Sequence, residues 1–393
     1  MIDTQSNIFN PAQKIYANLD RVIQHLDTGF APPVLVEVDP SNACNQACDF
    51  CLSSYIHFDK AKGSETFSRA FLSKDWLNSL CDDFISLGVR SVNWTGGGEP
   101  TLNKQLGPAI ERLGSSQIAM GMFTNGTLMI KHNLIDTVVK WLDWVRISVD
   151  CGRPETYDRI RGIRDRSHWD LMIDNVNALI SQKNRSESPI DIGIGFVITP
   201  SNYTEICDFA RVFATLDVTY CQFKPEVIIR EIGGIQRSED FWKEKVIPEL
   251  HEARAILQDR FHCNEYKLND LIFDPINLGR DYKKCLGSQL QPCVGADGHV
   301  YVCTNHRGWK QYSYGWLGER TFAEIWADLG KRSQIMDKIE STERFANCTQ
   351  LCKPHESNKA MWNVLQRRNE FQGDEITNIM RESQSIVRHY KFI

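Results

Sequence analysis

A chain of 393 residues, with 42% hydrophobic and 24% charged residues, has the composition of an ordinary globular protein of two or three domains. Its formal net charge of −5, with both signs interspersed, lacks the basic surface of a nucleic-acid-binding protein. No apolar run approaches the roughly 18–20 residues that span a bilayer, and the N-terminus has no secretory signal. Its 13 cysteines then favour metal binding over disulfides, so we expect a cytoplasmic protein without nucleic-acid or membrane partners.

The first predicted element is an amphipathic helix over residues 11–27, which starts near Pro11 and ends before Gly29. Two prolines follow, and residues 34–38 are predicted as the first buried strand. Residues 1–32 are therefore expected to form an N-terminal helical extension.

The turn after this strand leads into three closely spaced cysteines, Cys44, Cys48 and Cys51. Three thiolates are one fewer than a closed zinc site or an ordinary iron–sulfur cube requires, which leaves one metal corner open for chemistry. Two alternatives are a zinc site with a remote fourth ligand such as His57, and unligated thiols or a disulfide.

Strands and helices then alternate along the chain. Further strands are predicted at 89–94, 118–124, 144–149, 190–199 and 218–223, and helices at 73–87, 102–113, 131–142, 168–181, 203–214 and 239–259. Six βα repeats predict a parallel sheet with right-handed crossovers, as a partial barrel or an open doubly wound sheet. In both, active-site groups collect at the carboxyl ends of the strands.

Candidate site residues follow these strands. After the second strand come Gly97, Gly98 and Glu99, where glycines permit close approach to a ligand and a carboxylate accepts hydrogen bonds from an ammonium group; a tight turn is the alternative. Thr124 and Asn125 follow the third strand, although Asn-Gly is also a common turn.

The fourth strand places two further candidates on one face, Ser148 and Asp150. Cys151, Lys224 and Glu226 are candidates for a hydrogen donor or a general acid or base, with structural or substrate-positioning roles as the alternative.

A second cysteine-rich block begins after residue 262. Asp297-Gly298 between apolar runs predicts a hairpin, and cysteines at both ends indicate a compact module held by metal, with a zinc knuckle as the alternative. The cysteines concerned are Cys285, Cys293, Cys303, Cys348 and Cys352.

The pattern CNxxCxFC at residues 44–51, followed by GGGEP and TNG after the next two strands, resembles radical S-adenosylmethionine (radical SAM) enzymes. The resemblance implies a TIM-like partial (β/α)6 barrel over residues 33–262. It implies that Cys44, Cys48 and Cys51 hold a [4Fe–4S] cluster whose fourth iron binds SAM. The cofactor contacts that it implies are Phe50 near the adenine, Gly97, Gly98 and Glu99 at the amino group, Thr124 and Asn125 along the cofactor, Ser148 with Asp150 near the ribose or carboxylate, and Arg161 at the carboxylate.

Residues 263–357 resemble the SPASM/twitch extension of that superfamily, a small α+β iron–sulfur domain. The resemblance implies one auxiliary [4Fe–4S] cluster on Cys285, Cys303, Cys348 and Cys352, with Cys293 as an alternative to Cys285. Residues 358–393 are left as a helical tail that the resemblance does not explain.

The implied activity is reductive cleavage of SAM to a 5′-deoxyadenosyl radical that abstracts a hydrogen atom from the substrate. An electron donor such as flavodoxin or ferredoxin would be required. Only about 33 residues precede the first strand, too few for the peptide-recognition domain of many maturases. We therefore expect a small polar metabolite as substrate. The auxiliary cluster would accept an electron from the substrate radical, ligate the substrate, or only form part of the pocket wall. The alternatives are a maturase acting on a peptide, and a non-enzymatic iron–sulfur sensor or scaffold.

Overall fold

The structure is a computed structural model that describes residues 9–53, 70–163, 167–226, 238–263, 281–341, 348 and 352–393. His57, the remote ligand of the zinc alternative, lies outside the described residues. None of the described helices is both long and apolar enough to cross a bilayer.

Ten strands form one sheet. They are β1 (Leu35–Val38), β2 (Ser91–Trp94), β3 (Ala119–Thr124), β4 (Trp144–Ser148), β5 (Asp191–Ile198), β6 (Tyr220–Pro225), β7 (Phe261–Cys263), β8 (Cys293–Val294), β9 (His299–Tyr301) and β10 (Ser313–Trp316). The strand order is β10-β9-β8-β1-β2-β3-β4-β5-β6-β7. Strands β1 to β7 pair in parallel, which confirms the predicted α/β class.

Thirteen α-helices lie in the described part of the chain. They are α1 (Pro11–Tyr16), α2 (Leu19–Thr28), α3 (Lys74–Leu87), α4 (Leu106–Gly114), α5 (Ile135–Trp141), α6 (Pro154–Ile160), α7 (Trp169–Ser186), α8 (Ile206–Ala214), α9 (Ile247–Leu257), α10 (Phe322–Ala327), α11 (Leu329–Glu340), α12 (His355–Gln366) and α13 (Asp374–Ile386). Helices α3 to α5 and α7 to α9 occupy the crossovers of the parallel sheet, as the βα alternation predicted.

The cysteine-rich block joins the barrel sheet directly. β8 pairs in parallel with β1, and β8 and β9 form the antiparallel hairpin predicted at Asp297-Gly298. Gly298 has φ 78°, the left-handed conformation that such a turn requires. The domain boundary predicted at residue 262 falls inside β7, the edge strand at the other side of the sheet.

The N-terminal and C-terminal segments share a hydrophobic core. Ile15 and Leu19 from the first helices pack in the same cluster as Val364 of α12 and Phe392. The single helix predicted over 11–27 is in fact two, because Asn18 interrupts it and its side-chain amide donates to Tyr390 O over 2.8 Å. The two segments that the resemblance left unexplained therefore pack together.

Candidate functional site

A cleft of about 540 Å³ lies at the carboxyl ends of the parallel strands. The thiols of the loop between β1 and α3, called here the cysteine loop (residues 42–53), line it together with groups from five other strand ends. These cleft-lining residues include Cys44, Cys48 and Cys51, Gly97, Gly98 and Glu99, Thr124 and Asn125, Ser148 and Asp150, and Lys224. The predicted edge of the sheet thus gathers most of the predicted site residues.

Backbone hydrogen bonds hold the cysteine loop against the glycine loop (residues 95–99). Gly98 N donates to Ser41 O over 3.1 Å, and Glu99 N donates to Ala43 O over 2.8 Å. A Cβ atom at Gly98 would lie 2.1 Å from Ala43 O, so a side chain does not fit there. The close approach that the glycines permit is therefore made to the cysteine loop itself.

A second contact fixes the other side of the cysteine loop. Ala47 N donates to Arg161 O over 2.8 Å, and Asp49 N donates to Ile160 O over 3.1 Å. Gly162, with φ 64°, follows directly, and a Cβ atom there would lie 2.7 Å from Ala47 O. Two glycine-dependent contacts thus position the backbone between the cysteines.

Glu99 is a buried carboxylate, only 2% exposed, on the cleft wall. Its Oε1 accepts from Thr101 N (3.1 Å), Thr101 Oγ1 (2.6 Å) and Thr124 Oγ1 (2.6 Å), while Oε2 accepts from Asn125 N (2.7 Å). Burial raises the pKa of Glu99, and these hydrogen bonds oppose the rise. Because each carboxylate oxygen has two lone pairs, Oε2 keeps capacity for one more donor, such as an ammonium group.

The Asn125 side chain ties the third strand end to the cysteine loop. Its Nδ2 donates to Asn45 Oδ1 over 2.8 Å, and Asn45 Nδ2 donates to Thr127 Oγ1 over 3.0 Å. Gly126 has φ 75°, so the Asn-Gly turn is present as well. Asn125 therefore both opens an Asn-Gly turn and lines the cleft.

The protein alone disfavours the thiolate forms of the three cysteines. Cys44 opens onto the cleft, yet desolvation, with a contribution from Glu99, raises its pKa to about 12. Burial also raises the pKa of Cys48 and of Cys51. Thiolates in such surroundings need a compensating cation, which iron would supply, so the donor set fits a metal centre.

In the described part of the chain, no three His, Cys, Asp or Glu side chains converge as ligands of one metal ion. A mononuclear zinc site needs such convergence, whereas the thiolates of an iron–sulfur cube bind different irons and need not meet at one point.

Arg161 lines the cleft, but other protein groups already hold its guanidinium. It forms a buried ion pair with Asp150, and its Nη1 donates to Cys48 Sγ over 3.3 Å. Asp150 Oδ1 accepts from Val197 N over 2.6 Å. The resemblance implied that Arg161 binds the SAM carboxylate, and that role stays a prediction; in the structure its guanidinium lines the cleft and contacts Asp150 and Cys48.

The three candidate acid–base or hydrogen-donor residues lie in different surroundings. Lys224 is among the described residues that line the cleft, and Glu226 and Cys151 are not. Cys151 is fully buried, with its Sγ 3.6 Å from both Val149 O and Arg153 O, and burial raises its pKa. Cys151, a candidate because it follows the fourth strand, therefore lies in the core and not on the cleft wall.

Phe50 lies on the cleft wall, where the resemblance implied that it contacts the cofactor. The Arg161 guanidinium lies 5.7 Å from the centre of its ring. The aromatic ring before the last cysteine thus packs beside the buried ion pair.

Four later cysteines line a second pocket, called here the auxiliary pocket. They are Cys285, Cys303, Cys348 and Cys352. Burial raises the pKa of Cys303, and the neighbouring Cys348 and Cys285 raise it further. The pKa of Cys352 is raised first by its contact with Cys348 and then by burial. Four thiols that oppose each other's ionisation fit a centre that supplies positive charge, as a cluster would.

Cys293, the alternative first ligand, lies elsewhere. It is a fully buried residue of β8, and burial and then Asp39 raise its pKa. Cys285 stands with the other three cysteines, and Asn358 Nδ2 lies 3.6 Å from its Sγ.

The sequence interpretation missed Arg307, which also lines the cleft. Its Nη1 donates to both carboxylate oxygens of Asp39, over 2.9 and 2.7 Å. The two residues are 268 positions apart in the chain, and neither belongs to a motif, so spacing gave no signal for the pair.

The comparison with protein families matches residues 38–209 to the radical SAM superfamily. A curated relative, the Fe-coproporphyrin III synthase of Methanosarcina barkeri, is 26% identical over 314 residues, which are 73% of this chain and 71% of that protein. The mycofactocin maturase MftC of Mycolicibacterium smegmatis is 26% identical over 203 residues, which are 51% of this chain and 47% of that protein.

Among solved structures, Streptococcus suis SuiB bound to the precursor peptide SuiA superposes with a TM-score of 0.56. The match covers 81% of this chain and 70% of SuiB, at 16% sequence identity. At that identity the likeness establishes the fold, and it agrees with the parallel α/β sheet described above.

Proposed function

Because this chain belongs to the radical SAM superfamily, we propose that the cysteine loop binds a [4Fe–4S] cluster and that the adjoining strand ends bind SAM. The observation that supports this most directly is the presence of Cys44, Cys48, Cys51 and Glu99 on one cleft. The four cysteines of the auxiliary pocket are proposed ligands of a second cluster. A flavodoxin or ferredoxin in the cytoplasm is the proposed electron donor.

Bound there, a cluster and SAM would supply one-electron cleavage of the cofactor and abstraction of a hydrogen atom from a substrate carbon. The residues of the chain hold and orient these groups. Glu99 Oε2, which accepts from Asn125 N, would accept a second hydrogen bond from the methionyl ammonium, and Arg161, which donates to Cys48 Sγ, would stabilise Cys48 as a thiolate. Lys224 supplies a positive charge on the cleft wall, and the surrounding strand ends exclude water.

For the substrate, the proposal is a peptide, which replaces the small polar metabolite expected from the sequence. A curated relative is named as a maturase, and a structure with the same fold holds a precursor peptide. The Fe-coproporphyrin III synthase shows that relatives of other kinds exist, so the substrate experiment below includes small molecules.

Anaerobic reconstitution tests the cofactor proposal. We expect about eight iron per chain, four for each [4Fe–4S] cluster, and release of 5′-deoxyadenosine when SAM and dithionite are added. A variant with Cys44, Cys48 and Cys51 all replaced by alanine should retain about four iron per chain. It should release no 5′-deoxyadenosine.

The matched control removes three buried thiols outside both pockets, Cys81, Cys207 and Cys221. This control variant should bind as much iron and release as much 5′-deoxyadenosine as the unmodified chain does. Cleavage of SAM by the first triple variant would show that the cysteine loop is not the site.

A deuterium-transfer experiment tests the substrate proposal. An extract of the source organism grown in heavy water is separated into peptide and small-metabolite fractions, and each is supplied to the reconstituted enzyme with unlabelled SAM. Deuterium in the 5′-deoxyadenosine is expected with the peptide fraction. If deuterium appears in the 5′-deoxyadenosine only with the small-metabolite fraction, the peptide proposal is wrong and the substrate is a small metabolite.

A further inference from the structure

One short segment separates the cleft from the auxiliary pocket. Cys303 and His306 line the auxiliary pocket, and Arg307, the next residue, lines the cleft. We call residues 303–307 the partition segment. Side chains from adjacent positions of one segment therefore face two different candidate cluster sites.

Arg307 attaches this segment to the strand that leads into the cysteine loop. Its Nη1 contacts both oxygens of Asp39, and its Nε donates to Thr304 O over 3.0 Å, which fixes the guanidinium. The side chains of Arg307 and Asp39 are 11% and 2% exposed, so water screens the pair little. Asp39 directly follows β1, and it also accepts a backbone hydrogen bond from Gly97.

The positive charge of Arg307 acts on the cysteine loop as well. Arg307 lines the same cleft as Cys51, and its side chain is 11% exposed, so water screens its charge little from the cysteine loop. Asp39 neutralises part of that charge. The pair therefore sets the local potential at one proposed cluster ligand, and groups of this kind tune the potentials of iron–sulfur centres.

We propose that Arg307 is a positioning residue that anchors the partition segment to Asp39 and sets the reduction potential of the cluster held by the cysteine loop. This inference rests on the proposed function, because it requires a cluster at Cys44, Cys48 and Cys51. The auxiliary pocket would thereby influence the SAM-cleaving site through one side chain.

The test measures the midpoint potential of the reconstituted holoenzyme by electron paramagnetic resonance. The signal to follow is the one that added SAM perturbs, because only the cluster with an open corner responds to SAM. The variants are R307M, R307K and D39N, with R320M as the control. Arg320 pairs with Asp328 on the surface and lines neither pocket.

Loss of the positive charge in R307M should shift the potential to a more negative value, because the reduced cluster carries one more negative charge. D39N should shift it to a more positive value, because Arg307 is then no longer neutralised. R307K keeps the charge and should lie closest to the unmodified enzyme, and R320M should not shift.

Opposite shifts in R307M and D39N support the inference, since general damage to the site would move both variants in one direction. Equal shifts of the midpoint potential in R307M and D39N, or no shift in either, would overturn the inference. If R307M fails to load iron, the potentials of R307K and D39N decide between the two outcomes. Absence of a SAM-responsive signal in the unmodified enzyme would overturn the proposed function itself.

Discussion

Glu99 carries unequal numbers of hydrogen bonds on its two oxygens. Oε1 accepts three and Oε2 accepts one, and every donor belongs to the protein. A carboxylate is the only side chain of this size that accepts at both positions. A change from carboxylate to amide at this position would therefore alter both its charge and one of its acceptor positions.

Replacement of Glu99 by Gln is expected to weaken SAM binding by on the order of ten- to a hundredfold, since hydrogen bonds to charged groups contribute about 1.5–3 kcal/mol. The amide nitrogen would face Asn125 N–H or the threonine donors, and the negative charge opposite the ammonium is lost. Equilibrium dialysis of the reconstituted variant measures the effect.

Glu111→Gln is the control for this prediction. Glu111 accepts a hydrogen bond from Thr137 on the exposed face of the protein, away from the cleft. This variant should bind SAM as the unmodified chain does. If both variants bind SAM with equal affinity, Glu99 does not contribute to SAM binding.

The cysteines of the loop and Glu99, which the residue patterns selected, line the cleft, whereas Cys151 lies in the core. Alternation along β4 put Ser148 and Asp150 on one face, and both do line the cleft. Beyond the strand, Asp150 adopts φ 65°, which turns the chain so that Cys151 enters the core. Strand periodicity ends where the strand ends, so it does not predict side-chain directions past that point.

At the scale of elements, the predicted strands agree with the structure to within about two residues, because buried parallel strands are short apolar runs bounded by turns. The helix predicted over 239–259 is present but starts with a π-helical turn at Phe241–Val246. The pairing of β8 with β1 was not predicted, since strand patterns contain no information about distant partners.

The contact between the glycine loop and the cysteine loop gives a prediction about cluster loading. A Cβ atom in Gly98→Ala would overlap backbone atoms of Asn42 and Ala43, which a side-chain movement does not relieve. The cysteine loop should shift, and reconstituted iron should fall from about eight to about four per chain. Iron analysis and the SAM-responsive signal measure this result.

Gly330→Ala is the matched substitution. Gly330 lies in α11, and its nearest neighbour to an added Cβ atom is Asp328 Oδ1 at 3.7 Å. Alanine there should load iron normally and stabilise the fold by about 0.5–1 kcal/mol. If Gly98→Ala loads as much iron as Gly330→Ala, the contact does not position the cysteine loop.

At the scale of the whole molecule, residues 388–393 cover the amino ends of the strands, opposite the cleft. Ser91 Oγ of β2 donates to Lys391 O over 2.6 Å, and the rings of Trp144 and Phe392 are 5.4 Å apart. Asp191, at the start of β5, is 1% exposed and pairs with both Arg388 and His389. The segment thus closes one end of the barrel while the other carries the site.

A variant with Arg388→Met and His389→Phe leaves the Asp191 carboxylate buried without its two partners. Removal of the partners of a buried charge costs about 3–5 kcal/mol, and we expect a loss of that order in the free energy of unfolding in urea. Addition of Asp191→Asn should recover most of it, because the buried charge is then gone. A loss below about 1 kcal/mol would indicate that water reaches Asp191.

Strand β1 pairs with β2 on one side and with β8 on the other, through Val38 opposite both Trp94 and Val294. During synthesis, the strand that carries the cysteine loop therefore gains its second neighbour only after most of the chain has left the ribosome. Contacts between such distant segments form slowly. Iron delivered before that moment would meet thiols on an incomplete sheet, so we expect a chain truncated before β8 to load the cysteine loop poorly.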